Sequence, residues 1–129
     1  MSGGAHQSDD MARQWLQARG YAVFQADWIA TPPSGDSFVV EAKYQERFTP
    51  PPFAGHGLPP HQVKARMAFQ AAHGIRTLLL VFDKQTAEIF YEWLDVLDAG
   101  PQHQTNGLHP RRIYPLESFR VGRGPIQMF

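Results

Sequence analysis

A chain of 129 residues has the length of one ordinary domain, and such a domain buries roughly two-thirds of the surface its unfolded form exposes. Twelve Lys and Arg balance twelve Asp and Glu, so no global field draws in a polyanion or an anionic membrane, and a nucleic-acid surface has to be local. With no cysteine, no apolar run near the roughly 20 residues of a membrane span and no signal-peptide core in the polar start from Ser2 to Asp10, disulfide frameworks, thiolate zinc sites and thiol nucleophiles are excluded, and a soluble, cytoplasmic protein is expected.

In chain order, Ser8 followed by Asp9 and Asp10 predicts a helix start, with acids near the positive end of the dipole. Met11, Trp15 and Leu16 form its apolar stripe and Gly20 its stop. Tyr21 to Phe24 and Asp27 to Ala30 read as short extended segments. The turn formers from Pro32 to Asp36 then reverse the chain into a strand from Ser37 to Tyr44, and Asp36 is assigned to that turn. Phe48 to Pro60 is rich in proline and glycine, which predicts an irregular loop acting as a flap. Pro60 opens a second helix whose Val63, Met67 and Ala71 share one face, with Gln62 and Arg66 on a neighbouring stripe, and Gly74 ends it. Thr77 to Phe82 is a continuous apolar run, expected of a strand covered on both faces at the centre of the sheet. A turn at Asp83 to Thr86 leads to another strand ending at Trp93. Pro101 to Pro110 reads as a loop, Ile113 to Phe119 as an edge strand or short helix, and Arg120 to Phe129 as a poorly ordered or partner-facing tail.

Chemistry concentrates in Phe38-Val39-Val40-Glu41-Ala42-Lys43. Side chains on a strand alternate, so Glu41 and Lys43 project from one face, where a cation and an attacking water can both be held. Phosphodiester hydrolysis needs neutralised phosphate charge and an activated water; magnesium on carboxylates supplies much of this, and a nearby lysine orients or helps deprotonate the water. Asp27 and Glu41, at the two arms of the hairpin, can converge on one ion, with the Ala42 backbone carbonyl between them. A Glu-x-Lys by itself equally describes a solvated strand edge. The histidines, including His56, His61, His73, His103 and His109, show no zinc-ligand spacing, and no serine-hydrolase elbow or phosphate-cradling glycine loop is present.

Asp27 followed by Glu41-Ala42-Lys43 resembles the PD-(D/E)XK nuclease superfamily, with Ala26 in place of the nominal proline. The match is closest to Holliday junction resolvases of the RecU type, in which Glu-Ala-Lys is followed by a Phe- and Pro-rich loop, a His-Gln pair opening a helix, a glycine and an apolar strand. Here these are Phe53 with its prolines, His61-Gln62, Gly74 and Leu78 to Phe82. The resemblance implies a restriction-endonuclease-like αβββαβ core over about residues 9–94, a central mixed sheet flanked by helices, and a C-terminal extension over about 100–129, in a single domain. It implies Asp27 and Glu41 as magnesium ligands, with manganese as a substitute, and Lys43 and Gln62 beside the reacting phosphate. Asp9, with Asp10 as its competitor, would be a peripheral acid acting through water. It also implies a homodimer that cuts a four-way DNA junction.

Arg47, His61, Lys64, Arg66, Arg111, Arg112, Arg120 and Arg123 are the candidate phosphate contacts, which bind backbone rather than read bases. Two other readings stand beside the resolvase: a nuclease of the same fold acting on flaps, ends or restriction targets, and a non-catalytic nucleic-acid-binding protein that keeps the fold.

Overall fold

Thr77–Asp83 is buried at every position because both faces of this strand are covered, as its unbroken apolar run requires. The computed structural model describes residues 3–19, 22–24, 29–31, 35–49 and 52–122, with side chains for 10–19, 30, 35–49 and 52–122. The chain is mixed α/β. Helix α1 (Gly3–Gln17) precedes strands β1 (Ala22–Phe24), β2 (Ile29–Thr31), β3 (Phe38–Gln45) and β4 (Gly55–Leu58). Helix α2 (Pro60–His73), strands β5 (Thr77–Asp83) and β6 (Ile89–Trp93) and the short helix α3 (Leu94–Asp98) follow. Strands β7 (His103–Gln104), β8 (Arg112–Pro115) and β9 (Arg120–Gly122) complete the described chain.

The main sheet has the order β1-β2-β3-β5-β6-β9, and a smaller one the order β4-β8-β7. In the main sheet only β3 and β5 are parallel, with Glu41 opposite Leu79, Lys43 opposite Val81 and Gln45 opposite Asp83. A parallel pair needs a crossover, and α2 supplies it by running back across one sheet face. The two faces have separate cores. Leu78, Leu80 and Phe82 pack with Phe38, Val40, Tyr91 and Trp93 against Ala12 and Leu16 of α1. Leu79 and Val81 pack with Phe90 against Val63 of α2, Leu58 of β4, Leu94 and Leu97 of α3, and Tyr114 of β8. Each fully buried leucine contributes about 1.5–3 kcal/mol relative to exposure.

Four expectations change. The first helix begins at Gly3, so Ser8 is not its cap, and its first turn holds no acid; nothing in Ala5-His6-Gln7 breaks a helix, and alanine and glutamine favour one. Gly20 lies outside the described residues. The Pro- and Gly-rich segment is no flap: it contains β4, buried along its whole length. Its glycines are what allow this, because a Cβ on Gly55 or Gly57 would fall 1.9 or 1.8 Å from the carbonyl oxygen of Tyr114 or Arg112. The predicted tail starts as β9, paired with β6; residues 123–129, Arg123 among them, lie outside the described residues. The 101–110 loop carries the two-residue strand β7. Ile113 to Phe119 realises both options offered for it, a strand through Pro115 and then a 3₁₀ turn at Leu116–Ser118.

From α2 to β6 the chain agrees with expectation, while Tyr21, Asp27, Trp28 and the turn residues 32–34 lie outside the described residues. α2 starts at Pro60 and ends against Gly74 at φ 69°, β5 is the covered strand, and the turn after Asp83 leads to β6. Among the described residues no helix is long and apolar enough to cross a membrane.

Candidate active site

Strand alternation divides β3 between the two faces. Phe38, Val40, Ala42 and Tyr44 pack on the α1 side, so Glu41, Lys43 and Gln45 face α2 and the small sheet. β2 pairs with β3 only at Phe38 and Val39. Beyond Val39 the edge of β3 away from β5 has no strand partner among the described residues.

Helix α2 meets β3 on this face through a hydrogen bond. Arg66 Nε donates to Glu41 Oε1 at 2.7 Å, with the Glu41 side chain 13% exposed and that of Arg66 38% exposed. Gln62 lies one turn earlier on the same stripe, about 6 Å along the helix axis. Because α2 runs antiparallel to β3, one helical turn spans about two strand residues, which sets Gln62 near the level of Lys43. Gln62 Oε1 is buried and has no hydrogen-bond partner. Lys43 is half-buried and makes no hydrogen bond or ion pair among the described residues.

These atoms fit a hard cation in part. Glu41 uses one of roughly four lone-pair directions, and the unpartnered Gln62 oxygen, one helical turn from Arg66, is a neutral oxygen donor; oxygen donors are what magnesium takes. Asp27 lies outside the described residues, as does the Asp9 side chain. Among the described residues no group of three or more His, Asp or Glu is placed to hold a metal. Asp10, the alternative to Asp9, pairs with Arg13 in its own helix.

A second polar cluster occupies the same face, at the far end of β3 and β5. Asp83 is 1% exposed, and His56 Nε2 lies 2.8 Å from its Oδ2. Arg47 Nε donates to that oxygen at 3.1 Å, and the amides of Gln85 and Thr86 donate to Oδ1 at 2.8 and 3.1 Å. Burial alone would raise the Asp83 pKa, but the hydrogen bonds from His56, Thr86 and Gln85 hold it below the usual carboxylate value. Burial keeps the His56 imidazole below its ordinary pKa against the raising effect of Asp83; Nε2 faces Asp83, and Nδ1 lies 3.1 Å from Gln45 Oε1, which also accepts from the Gly57 amide. Along the chain His56 is one of several scattered histidines in a segment expected to be a loop. It is a fully buried strut between the two sheets, and only its position between two glycines hints at close packing.

The candidate DNA contacts divide in the same way. Arg47 is held by Asp83, Arg112 by Asp98 and Arg120 by Glu92, and Arg111 Nη1 donates to the Pro110 carbonyl. His61 and Lys64 are exposed on α2, on the helix that carries Gln62 and Arg66. The pairing of Arg66 with Glu41 was not visible in the sequence, since the two lie 25 positions apart. No family model matches the chain, and no curated protein and no solved structure matches it.

Proposed function

We propose that this protein is a magnesium-dependent endodeoxyribonuclease of the PD-(D/E)XK type, acting on branched DNA as a Holliday junction resolvase. The observation that carries the reading is the meeting of β3 and α2 at the Glu41–Arg66 hydrogen bond, with Lys43, unengaged among the described residues, on the same face of the strand and the buried, unpartnered Gln62 oxygen one turn before Arg66 on the helix. The order helix, three antiparallel strands, crossover helix, parallel strand supports the restriction-endonuclease-like core. Asp27, the second carboxylate of this reading, lies outside the described residues.

In this reading Glu41, Asp27 and the Ala42 carbonyl would hold the ion. When bound, magnesium supplies charge neutralisation at the phosphate and a more acidic water. Gln62 Oε1 accepts a hydrogen from the attacking water and fixes its orientation. Lys43 stabilises the negative charge that builds on the phosphoryl oxygens or takes part in the proton transfer. Lys64 and His61 contact the backbone beside the cut. Symmetric cleavage of a junction requires two sites related by a two-fold axis, hence a homodimer.

The test is cleavage of a synthetic four-way junction, a linear duplex and a single strand, each with and without magnesium. Preferential cleavage of the junction that is lost in Glu41→Ala and in Lys43→Ala is expected. Equal rates on all three substrates sink the resolvase assignment, and cleavage indifferent to both substitutions sinks the site.

A further inference from the structure

We infer that Arg66 is an exchangeable counter-ion. It occupies Glu41 in the free protein, competes there with the divalent cation, and turns to a DNA phosphate once the cation is held. The inference rests on the nuclease reading of Glu41 and extends it to a residue with two alternating partners.

The geometry of the pair separates it from the structural ion pairs of the same molecule. Arg76 grips Asp95 with two nitrogens, Nε to Oδ2 at 2.9 Å and Nη2 to Oδ1 at 2.6 Å. Its guanidinium also lies 4.3 Å from the Trp93 ring centroid, and Gln70 donates to the same carboxylate. Such a bidentate, stacked pair has no second position to go to. Arg66 engages Glu41 through Nε alone. Neither terminal nitrogen of Arg66 has a partner among the described residues, and no ring stacks on it. Those two nitrogens form the fork that matches phosphate oxygens.

The oxygen that Arg66 occupies belongs to the one carboxylate on this face of β3 that α2 reaches. A guanidinium nitrogen and a divalent cation cannot both sit against one carboxylate oxygen at contact distance, and their like charges repel at close range in a half-buried site. Displacement breaks a single hydrogen bond at Nε rather than a bidentate grip. It also has a destination: the Arg66 stem is anchored on α2 one turn from Gln62, on the helix that presents Lys64 to solvent. One motion therefore exposes the ligand and supplies a phosphate clamp.

Manganese binding to the DNA-free protein, followed by electron paramagnetic resonance, tests this in wild type, Arg66→Gln, Arg66→Lys and Glu41→Gln. Arg66→Gln is expected to bind manganese about fivefold more tightly than wild type, the factor set by losing a part-exposed pair and its positive charge. Arg66→Lys, which keeps the charge without the fork, is expected to stay near wild type. In fluorescence anisotropy with a four-way junction in calcium, Arg66→Gln is expected to bind DNA more weakly, by about threefold to tenfold. Manganese binding that depends on Glu41 but is unchanged or weaker in Arg66→Gln overturns the exchange and leaves the nuclease reading standing. Manganese binding identical in wild type and Glu41→Gln overturns both. Circular dichroism and a urea midpoint near wild type certify the fold of Arg66→Gln, and Arg66→Ala repeats the manganese comparison with no amide at the site.

Discussion

Two polar clusters share the α2-facing side of the β3–β5 pair, and they are built on opposite plans. Around Asp83 every acceptor is used: imidazole, guanidinium and two backbone amides converge on one carboxylate, and the cluster is sealed beneath β4. Around Glu41, two and four residues back along β3 from Lys43 and Gln45, the carboxylate has among the described residues a single donor, the Lys43 amine has no partner, and the amide oxygen of Gln62 on α2 is orphaned. A saturated buried network holds elements together, because removing any member strands the others in low dielectric. An unsaturated one spends stability to keep valences open, as a site that must take up an ion, a water or a phosphate requires.

The strongest way to break this contrast is Asp83→Ala. It leaves Arg47 and two turn amides without an acceptor, and is expected to cost about 3–5 kcal/mol in urea denaturation. A cost below about 1 kcal/mol would remove the structural role assigned to the cluster.

Lys43→Ala addresses the other side. Cleavage is expected to fall by about 10² to 10⁴, the range for loss of a proton-transfer or charge-stabilising group, while the urea midpoint stays near wild type. A large stability loss with unchanged turnover per folded molecule would reverse the assignment.

Gly57→Ala tests how the saturated cluster is sealed. Its new Cβ would meet the Arg112 carbonyl, 1.8 Å away, and backbone cannot yield as a flexible side chain does. A loss of about 1–3 kcal/mol is expected; wild-type stability would mean that β4 and β8 do not approach as described.

Acid sharpens the comparison with a smaller effect. The folded pKa of His56 lies below its ordinary value of 6.5, so below about pH 6.5 the unfolded chain takes up a proton that the folded chain refuses. Stability is therefore complete above pH 6.5 and declines on acidification, by at most about 1.4 kcal/mol per pH unit, until the folded pKa is reached. The depressed pKa of Asp83 adds a further loss at lower pH, once the unfolded carboxyl begins to protonate. Urea midpoints at pH 7.5 and 5.5 check the sign, and His56→Asn is expected to flatten the difference.

The smallest expected change is in the stability of Glu41→Gln, within about 1 kcal/mol of wild type, since the Arg66 pair is part-exposed. Activity should vanish in that variant. A destabilisation comparable to that of Asp83→Ala would place both clusters in one class.

Much of the framework could be read in advance, for reasons that are local. Leu78 to Phe82 announces a strand covered on both faces because no polar residue interrupts it. Pro60 and Gly74 mark the ends of α2 because one lacks an amide proton that the first turn does not need and the other takes positive φ without penalty. The sharing of one face by Glu41 and Lys43 follows from the two-residue period of any strand. Readings failed where local signals had distant competitors. The Pro-rich segment looked irregular, yet Gly55 and Gly57 lie flat against a strand nearly 60 residues further on. Arg120 looked like the start of a loose tail, yet it enters the sheet beside Tyr91.

By itself, then, the sequence determined the strand that presents a carboxylate and an amine together, the helix that follows with glutamine and arginine on one stripe, and the covered strand between the two cores. Propensity, period and end signals act over a few residues and are written in order along the chain. It took the packed chain to bring Arg66 to Glu41, to bury an unused oxygen of Gln62 one turn away, and to bind the two sheets through His56 and Asp83. Such pairings depend on which distant atoms are left to satisfy one another once the apolar faces have closed, and no short-range pattern encodes that outcome.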